Sequence, residues 1–169
     1  MKKIKDRLTL GLLCGFLGNI PKTILNEVSY RKGLEKTRYG EIVTGIFMPK
    51  KQAQSKDGVT FGVAGDYLLA SMLGIPLVYL FTYTGKDNYG LKGWVGGMAG
   101  MGLFRALIAN IGPGKTYPKD VLSNSMMSIS STLWGITAAT LIVHWGDERL
   151  FKTIYRYRYC KDAPENPLD

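Results

Sequence analysis

Long apolar stretches separated by short basic segments dominate the chain. Three of these stretches, residues 59–83, 93–111 and 121–146, together contain a single basic residue, Arg105. A helix needs about 20 mainly apolar residues to cross the hydrocarbon core of a bilayer. The pattern therefore predicts a membrane-spanning helix in each stretch, and it excludes an ordinary soluble globular enzyme.

The apolar segment nearest the N-terminus is shorter and is interrupted by a proline. Residues 8–20 are apolar, Pro21 follows, and Ile24, Leu25 and Val28 then continue along one helical face. Residues 8–20 alone are too few to cross a bilayer. We predict a span over residues 8–28 with a polar outer end, and a re-entrant segment is the alternative.

The predicted fold is an all-α integral membrane protein, a four-transmembrane-helix bundle with a basic first loop. Tyr39 to Met48 form a short apolar patch within that loop. Ten residues cannot span a bilayer, which favours an interfacial or re-entrant segment, or else a loop lying across the other helices. The predicted spans are 8–28, 59–83, 91–111 and 121–145, within a transmembrane domain of residues 1–148 and ahead of a basic amphipathic tail with a disordered end at 149–169.

Glycines recur four residues apart in two of the predicted spans. This GxxxG spacing places small residues on one helical face, where another backbone can approach closely. The spacing predicts tight helix packing but does not identify the partner helix. The glycines concerned are Gly11, Gly15, Gly93, Gly96, Gly97 and Gly100.

The net charge of +9 takes its meaning from the membrane prediction. In a soluble chain it would indicate nucleic acid, whereas here it favours contact with anionic lipid headgroups and no nucleic-acid partner. The tail supports this interpretation, because basic residues surround an apolar face at its start. These basic residues are Arg149, Lys152, Arg156 and Arg158.

The distribution of Lys and Arg gives only a weak orientation. With the N-terminus inside, 11 basic residues lie inside and 10 outside, so the positive-inside rule hardly discriminates. The basic ends favour both termini in the cytoplasm. If residues 8–28 re-enter, the tail emerges outside, and the near-equal counts also allow subunits in both orientations to form an antiparallel dimer.

Two charged residues lie where an apolar span is predicted. Asp66 and Arg105 each cost free energy in hydrocarbon and should therefore face protein or water. If the second and third spans are antiparallel neighbours, these side chains reach similar depth and can pair. Such a pair is either a gate or an anion or proton site, or a structural contact that fixes the helix register.

A second polar group is predicted near the end of the first span. Asn19, Lys22 and Asn26 share one helical face, with Glu27 beside them. They are candidates for lining a cavity, and the alternative is an interfacial lysine with capping amides. His144 near the end of the last span is interpreted as an interfacial residue.

The sequence contains no recognisable catalytic signature. It lacks GxSxG, HExxH and phosphate-loop motifs, and no Cys/His cluster has the spacing of metal ligands. We therefore predict no enzyme activity, no catalytic residues, no metal and no cofactor. Cys14 is predicted to be buried in the first span, and Cys160 to lie in the tail.

Four segments carry a resemblance to a known family: 18–30 (GNIPKTILNEVSY), 38–53 (RYGEIVTGIFMPKKQA), 83–93 (YTGKDNYGLKG) and 117–124 (YPKDVLSN). They resemble a functionally uncharacterised family of small multi-span membrane proteins from clostridia-like Gram-positive bacteria. The resemblance implies a bacterial inner-membrane protein and transfers no catalytic residues.

The favoured function is a scaffold or accessory subunit of a membrane assembly, as a homo-oligomer or with another membrane protein. Tight glycine faces and the lipid-binding tail support it. The alternative is a small oligomeric transporter or channel for an ion or small solute. It would use Asp66, Arg105 and the helical face formed by Asn19, Lys22 and Asn26.

Overall fold

The computed structural model describes residues 3–108, 118 and 120–151, with the backbone alone at 107 and 108. This part of the chain is helical, with four long helices, two short ones and a 3-10 turn. They are α1 (Arg7–Arg31), α2 (Tyr39–Thr44), α3 (Lys50–Ala53), α4 (Lys56–Thr84), α5 (Tyr89–Ile108), α6 (Val121–Trp145) and a 3-10 turn (Glu148–Leu150).

Among the described residues, three helices are long and apolar enough to cross a membrane: α1, α4 and α6. They match three of the predicted spans to within a few residues. α1 runs through Pro21 as one continuous helix of 25 residues, which fits a span rather than a re-entrant segment. α5 covers most of the predicted 91–111 span, and residues 109–111 lie outside the described part.

Side chains just before the long helices satisfy their first backbone N–H groups. The carboxylate of Asp6 accepts from the N–H of Thr9 at 2.7 Å at the start of α1. Asp120 accepts in the same way from Ser123 at the start of α6, at 3.0 Å. Such N-caps fix where a helix begins, because those N–H groups have no partner within the helix.

The four long helices pack in the spatial order α4, α1, α6, α5, with extensive contact between successive members and little between α4 and α5. Neighbours in this order run antiparallel. The main buried core lies between α1, α4 and α6 and includes Leu10, Phe81 and Ile142. Packing therefore does not follow chain order, since α1 separates α4 from α6.

Most of the predicted glycine faces form contacts within the chain. A Cβ at Gly11 would lie 2.7 Å from the Cα of Ile75 on α4, and Gly15 packs against the backbone at Ala70. On α5, a Cβ at Gly93 would lie 2.6 Å from the carbonyl oxygen of Gly135. These glycines therefore bring helix backbones together, as expected of small residues in membrane helices.

Two further predicted glycines, Gly96 and Gly100, face side chains rather than the backbone of α4. A Cβ at Gly96 would lie 2.7 Å from a methyl carbon of Leu77, and one at Gly100 would lie 3.5 Å from a methyl carbon of Leu73. Both leucines belong to α4. The second GxxxG register thus lies on the side of α5 that turns towards α4.

The apolar patch of the first loop forms α2, a short helix buried against α4. Gly62 of α4 lies directly against the backbone of Gly40, and the hydroxyl of Thr44 donates to the carbonyl of Gly58 at 2.5 Å. α2 therefore forms part of the protein interior near the start of α4.

The N-terminal strand-like segment and the chain beyond α6 meet at one end of the molecule. The N–H of Ile4 donates to the carbonyl of Trp145 at 2.9 Å, and the N–H of Asp147 donates to the carbonyl of Ile4 at 3.0 Å. The two ends of the described chain thus lie on the same side of the helices. Of the predicted tail, residues 152–169 lie outside the described part.

Two glycines of α5 test whether close packing holds the helices together. A Cβ at Gly97 would overlap the carbonyl group of Ser131 on α6, whereas a Cβ at Gly102 meets nothing within 4 Å. Gly97→Ala should lower the stability of the purified protein in detergent by about 1–3 kcal/mol, the usual cost of overpacking. The measurement is the thermal unfolding midpoint.

Gly102→Ala is the matched control, because it adds the same methyl group to the same helix in open space. It should leave stability unchanged or raise it by about 0.5–1 kcal/mol through better helix propensity. Equal effects of the two substitutions would contradict the proposed contact between α5 and α6.

Candidate functional site

A buried ion pair joins α1 to α4. The ammonium of Lys22 lies 2.6 Å from Oδ1 and 2.9 Å from Oδ2 of Asp66. The amide of Asn19 donates to Oδ2 at 2.8 Å. All three residues are buried, with exposed fractions of 7% for Lys22, 5% for Asp66 and 0% for Asn19.

The pair lies close to the middle of both helices. Asn19 is the central residue of α1 and Ala70 is the central residue of α4. At 1.5 Å per residue, Lys22 and Asp66 lie only about 5–6 Å along the axis from these midpoints. If the helices span a bilayer, the ion pair therefore lies deep in the hydrocarbon, where a lone charge is costly.

Aromatic and hydroxyl groups complete the surroundings of the lysine. Its ammonium lies 4.0 Å from the ring centroid of Tyr39, within cation–π distance. The Tyr39 hydroxyl donates to the carbonyl of Met127 at 2.9 Å and lies 3.0 Å from the hydroxyl of Ser131. α2 therefore reaches across to α6 and covers the ion pair.

A cavity borders the ion pair, with about 40 Å³ open to water-sized molecules. A single water needs about 10–15 Å³ by this measure, so the space holds a few waters or a very small solute. Polar groups lie at one part of its wall, and apolar side chains from α4, α5 and α6 form most of the rest. The lining residues include Lys22, Asp66, Ser131, Leu69, Met101 and Phe104.

A second buried polar group lies where α1 ends and the first loop begins. The amide nitrogen of Asn26 donates to a carboxylate oxygen of Glu35, and its carbonyl oxygen accepts from the N–H of Tyr39 at 3.1 Å. Glu35 is only 2% exposed. Burial raises the pKa of the Glu35 carboxyl to about 7, and the Asn26 hydrogen bond opposes this in part.

Three of the four polar residues predicted on α1 lie in two buried polar groups, and the fourth lies outside both. Asn19 and Lys22 contact Asp66, and Asn26 contacts Glu35. Glu27 is half-buried and forms ion pairs with Arg31 at 2.8 Å and Arg38 at 2.9 Å. It belongs to the outer surface rather than to the site.

The suggested pairing of Asp66 with Arg105 is wrong, because the ion pair of Asp66 is with Lys22. The reason is the packing order of the helices. α4 packs against α1, whereas α5 packs against α6, so the basic residue nearest to Asp66 comes from α1. Arg105 lies on the exposed surface of α5 and is not among the residues that line the cavity.

Three contributors to the site carry no clear signal in the sequence. Glu35 lies in a mixed-charge loop, Tyr39 begins a short apolar patch, and Ser131 is one of several serines on α6. Their roles depend on the first loop folding back against α1 and α6. Tyr39 lies seventeen residues beyond Lys22, and that separation gives no local indication of their contact.

The other predicted positions lie away from the ion pair. His144 is exposed, and its Nδ1 lies 2.8 Å from the carbonyl of Thr140 one turn earlier. Arg149 is exposed in the 3-10 turn, and its three basic companions lie outside the described residues: Lys152, Arg156 and Arg158. Cys14 is fully buried in α1, and Cys160 lies outside the described residues.

No group of three or more His, Cys, Asp or Glu side chains within the described residues could hold a metal ion. Comparison of the chain with protein-family models, curated proteins and solved structures finds no match.

Removing one member of the ion pair should destabilise the fold strongly. Lys22→Met leaves the carboxylate of Asp66 buried without a cation, which typically costs about 3–5 kcal/mol. The double variant Lys22→Met/Asp66→Leu removes both charges and should recover most of this loss. Thermal unfolding in detergent provides the measurement.

Arg31→Met is the control, because Arg31 forms an exposed ion pair with Glu27 on the same helix. Exposed pairs contribute about 0–1 kcal/mol, so this variant should unfold close to the wild-type temperature. Additive losses in the Lys22/Asp66 double variant would show that the two charges do not interact.

Proposed function

We propose that this protein is a small membrane transporter or channel that moves an ion or small solute through the cavity between α4 and α5. The observation that carries this proposal is the buried Lys22–Asp66 ion pair in the cavity wall. Charged side chains inside membrane helices are costly and typically mark the path of an ion or solute. A solute entering this cavity would meet both charges.

The position of free space favours transport over a purely structural role. Asn19 binds the pair on one side, and on the other the pair borders the cavity, whose wall also includes Tyr39. α4 and α5 make little direct contact, so separating them would cost few packing interactions. A cavity between weakly packed helices is the geometry from which a solute path opens.

The scaffold or accessory function remains the second candidate. The same ion pair would hold α1 and α4 in a single register, a role that needs no solute. The glycine faces support the scaffold function less than the sequence alone suggests. Four of the glycines pack against helices of the same chain: Gly11, Gly15, Gly93 and Gly97. They are not left open for another protein.

We further infer that α5 is a fourth span. It runs antiparallel beside α6, with Gly93 next to Gly135 and Gly97 next to Ser131. The resulting four-helix bundle would be a homo-oligomer in the bacterial inner membrane, with both termini cytoplasmic and the basic tail on anionic lipid. Ile4 and Asp147 lie at the same end of the helices, which supports an even number of membrane crossings between them.

The cytoplasmic location of the tail can be tested with its native cysteine. Cys160 should resist a membrane-impermeant maleimide in intact cells and react once the cells are permeabilised. Cys14 is fully buried and should stay silent, so a Cys160→Ser variant provides the background signal. Full labelling from outside would reverse the orientation, and labelling of about half the molecules would indicate dual topology.

The transport proposal predicts a requirement for the Asp66 carboxylate. Vesicles containing the full-length protein are adsorbed to a solid-supported membrane and given steps in pH, Na⁺, K⁺, chloride or acetate. The wild type should give charge displacements with at least one of these solutes. Asp66→Asn should abolish them, because the amide carries no charge to bind or balance an ion. Since loss of one member of the ion pair also lowers stability, the currents are compared at equal amounts of folded, inserted protein.

Asp57→Asn is the matched control: the same change on the same helix, but at an exposed position near its start. It should retain the wild-type currents. Wild-type currents equal to those of empty vesicles for every solute would favour the scaffold function instead.

A further inference from the structure

Glu35 is a buried carboxyl without a cationic partner in the described part of the chain. Its Oε2 accepts from Asn26, while its Oε1 lies buried with no hydrogen-bond donor among the described residues. None of the ion pairs formed by the described residues includes it. A carboxyl in such surroundings favours its neutral, protonated form.

The buried and half-buried charged groups on the surrounding elements have other partners, and Lys32 is exposed. Lys22 of α1 pairs with Asp66 of α4, and Arg38 of the first loop pairs with Glu27 of α1. Lys36 lies 3.8 Å from Asp120 at the start of α6, and Glu41 of α2 accepts from Gln54 at 3.5 Å.

Because the neighbouring cations pair with other carboxylates, only a bound proton neutralises the buried carboxyl of Glu35. The pKa of its carboxyl, raised by burial to about 7, agrees with that geometry.

Backbone hydrogen bonds at and beside Glu35 also hold the first loop over the end of α1. The backbone N–H groups of Leu34 and Glu35 donate to the carbonyl of Ser29 at 3.0 and 3.3 Å. The N–H of Lys36 donates to the hydroxyl of Ser123 on α6 at 3.1 Å. Residues 32–38, here called the closing segment, therefore bridge α1 and α6.

A continuous line of buried polar groups connects the closing segment to the ion pair. Asn26 binds Glu35 through its amide nitrogen and Tyr39 through its carbonyl oxygen. The ring of Tyr39 in turn lies under the ammonium of Lys22, which binds Asp66. If the closing segment moved away, water would reach Asn26 and then the charges beside the cavity.

We propose that Glu35 binds a proton, and that this proton keeps the closing segment shut over the polar line leading to Lys22 and Asp66. Loss of the proton leaves a buried carboxylate that is hydrated only when the closing segment opens. Because the carboxyl binds its proton more tightly when closed, the closed state is favoured at low pH. That preference is lost as the pH rises through about 7. As a gate on solute movement, this inference rests on the proposed transport function.

Infrared spectroscopy of the full chain in lipid nanodiscs tests for the proton directly. Wild type should show a protonated-carboxyl band that disappears with a midpoint near pH 7, and Glu35→Gln should lack it. Glu41→Gln is the matched control, since burial also raises the pKa of the Glu41 carboxyl. A wild-type band that persists in Glu35→Gln would overturn the proton site.

Opening is measured independently of transport through a cysteine in the closing segment. Thr37 is 9% exposed, and Thr37→Cys is placed in a background in which Cys14 and Cys160 are replaced by alanine. At about pH 8 a water-soluble maleimide should react several-fold faster when residue 35 is Glu than when it is Gln. At about pH 6 the two rates should converge. Equal rates at both pH values would overturn the opening.

The pH profile of the currents tests the link to transport. Asp66-dependent currents should increase from about pH 6 to pH 8 in wild type and remain at the low level in Glu35→Gln. An unchanged profile in Glu35→Gln would overturn the gate. If no protein-dependent current exists, the transport function fails, whereas a difference in cysteine reactivity would still establish proton-controlled closure.

Discussion

The hydrocarbon interior of a membrane offers no hydrogen bonds, so polar side chains on a spanning helix must find partners within the protein. This constraint determines the position of α1. Its polar face presents Asn19, Lys22 and Asn26. The first two bind Asp66 of α4, and Asn26 binds Glu35 of the first loop and the backbone of Tyr39 in α2. The helix is thereby held at the centre of the described structure, between α4 and α6.

Small residues make that arrangement possible. Gly15 packs on the backbone at Ala70, about one turn from Asp66, and Gly18 packs against Ala138 on the other side of α1. Close approach on both sides lets short side chains such as Asn19 reach across the helix interface. The glycines and the polar residues of α1 therefore act together, because the hydrogen bonds need short distances between helix axes.

Local pattern predicts much of the fold and part of the site. The long helices follow from apolar length, and the shared face of Asn19, Lys22 and Asn26 follows from helical spacing. The partner of Asp66 did not follow, because chain order suggests that α4 packs against α5 whereas the structure inserts α1. Glu35 was missed because its burial depends on a loop folding back, which no periodicity records.

The unequal packing of the long helices bears on how the cavity would open. α4 is held by α1 and α2, whereas α5 is held by α6. Glycines bring backbones together within these pairings and between α1 and α6, whereas Gly96 and Gly100 of α5 meet α4 only at its side chains. A change in the distance between α4 and α5 would therefore leave the close interfaces intact and alter chiefly the space beside Lys22 and Asp66. The ion pair thus lies beside the space that such a rearrangement would alter.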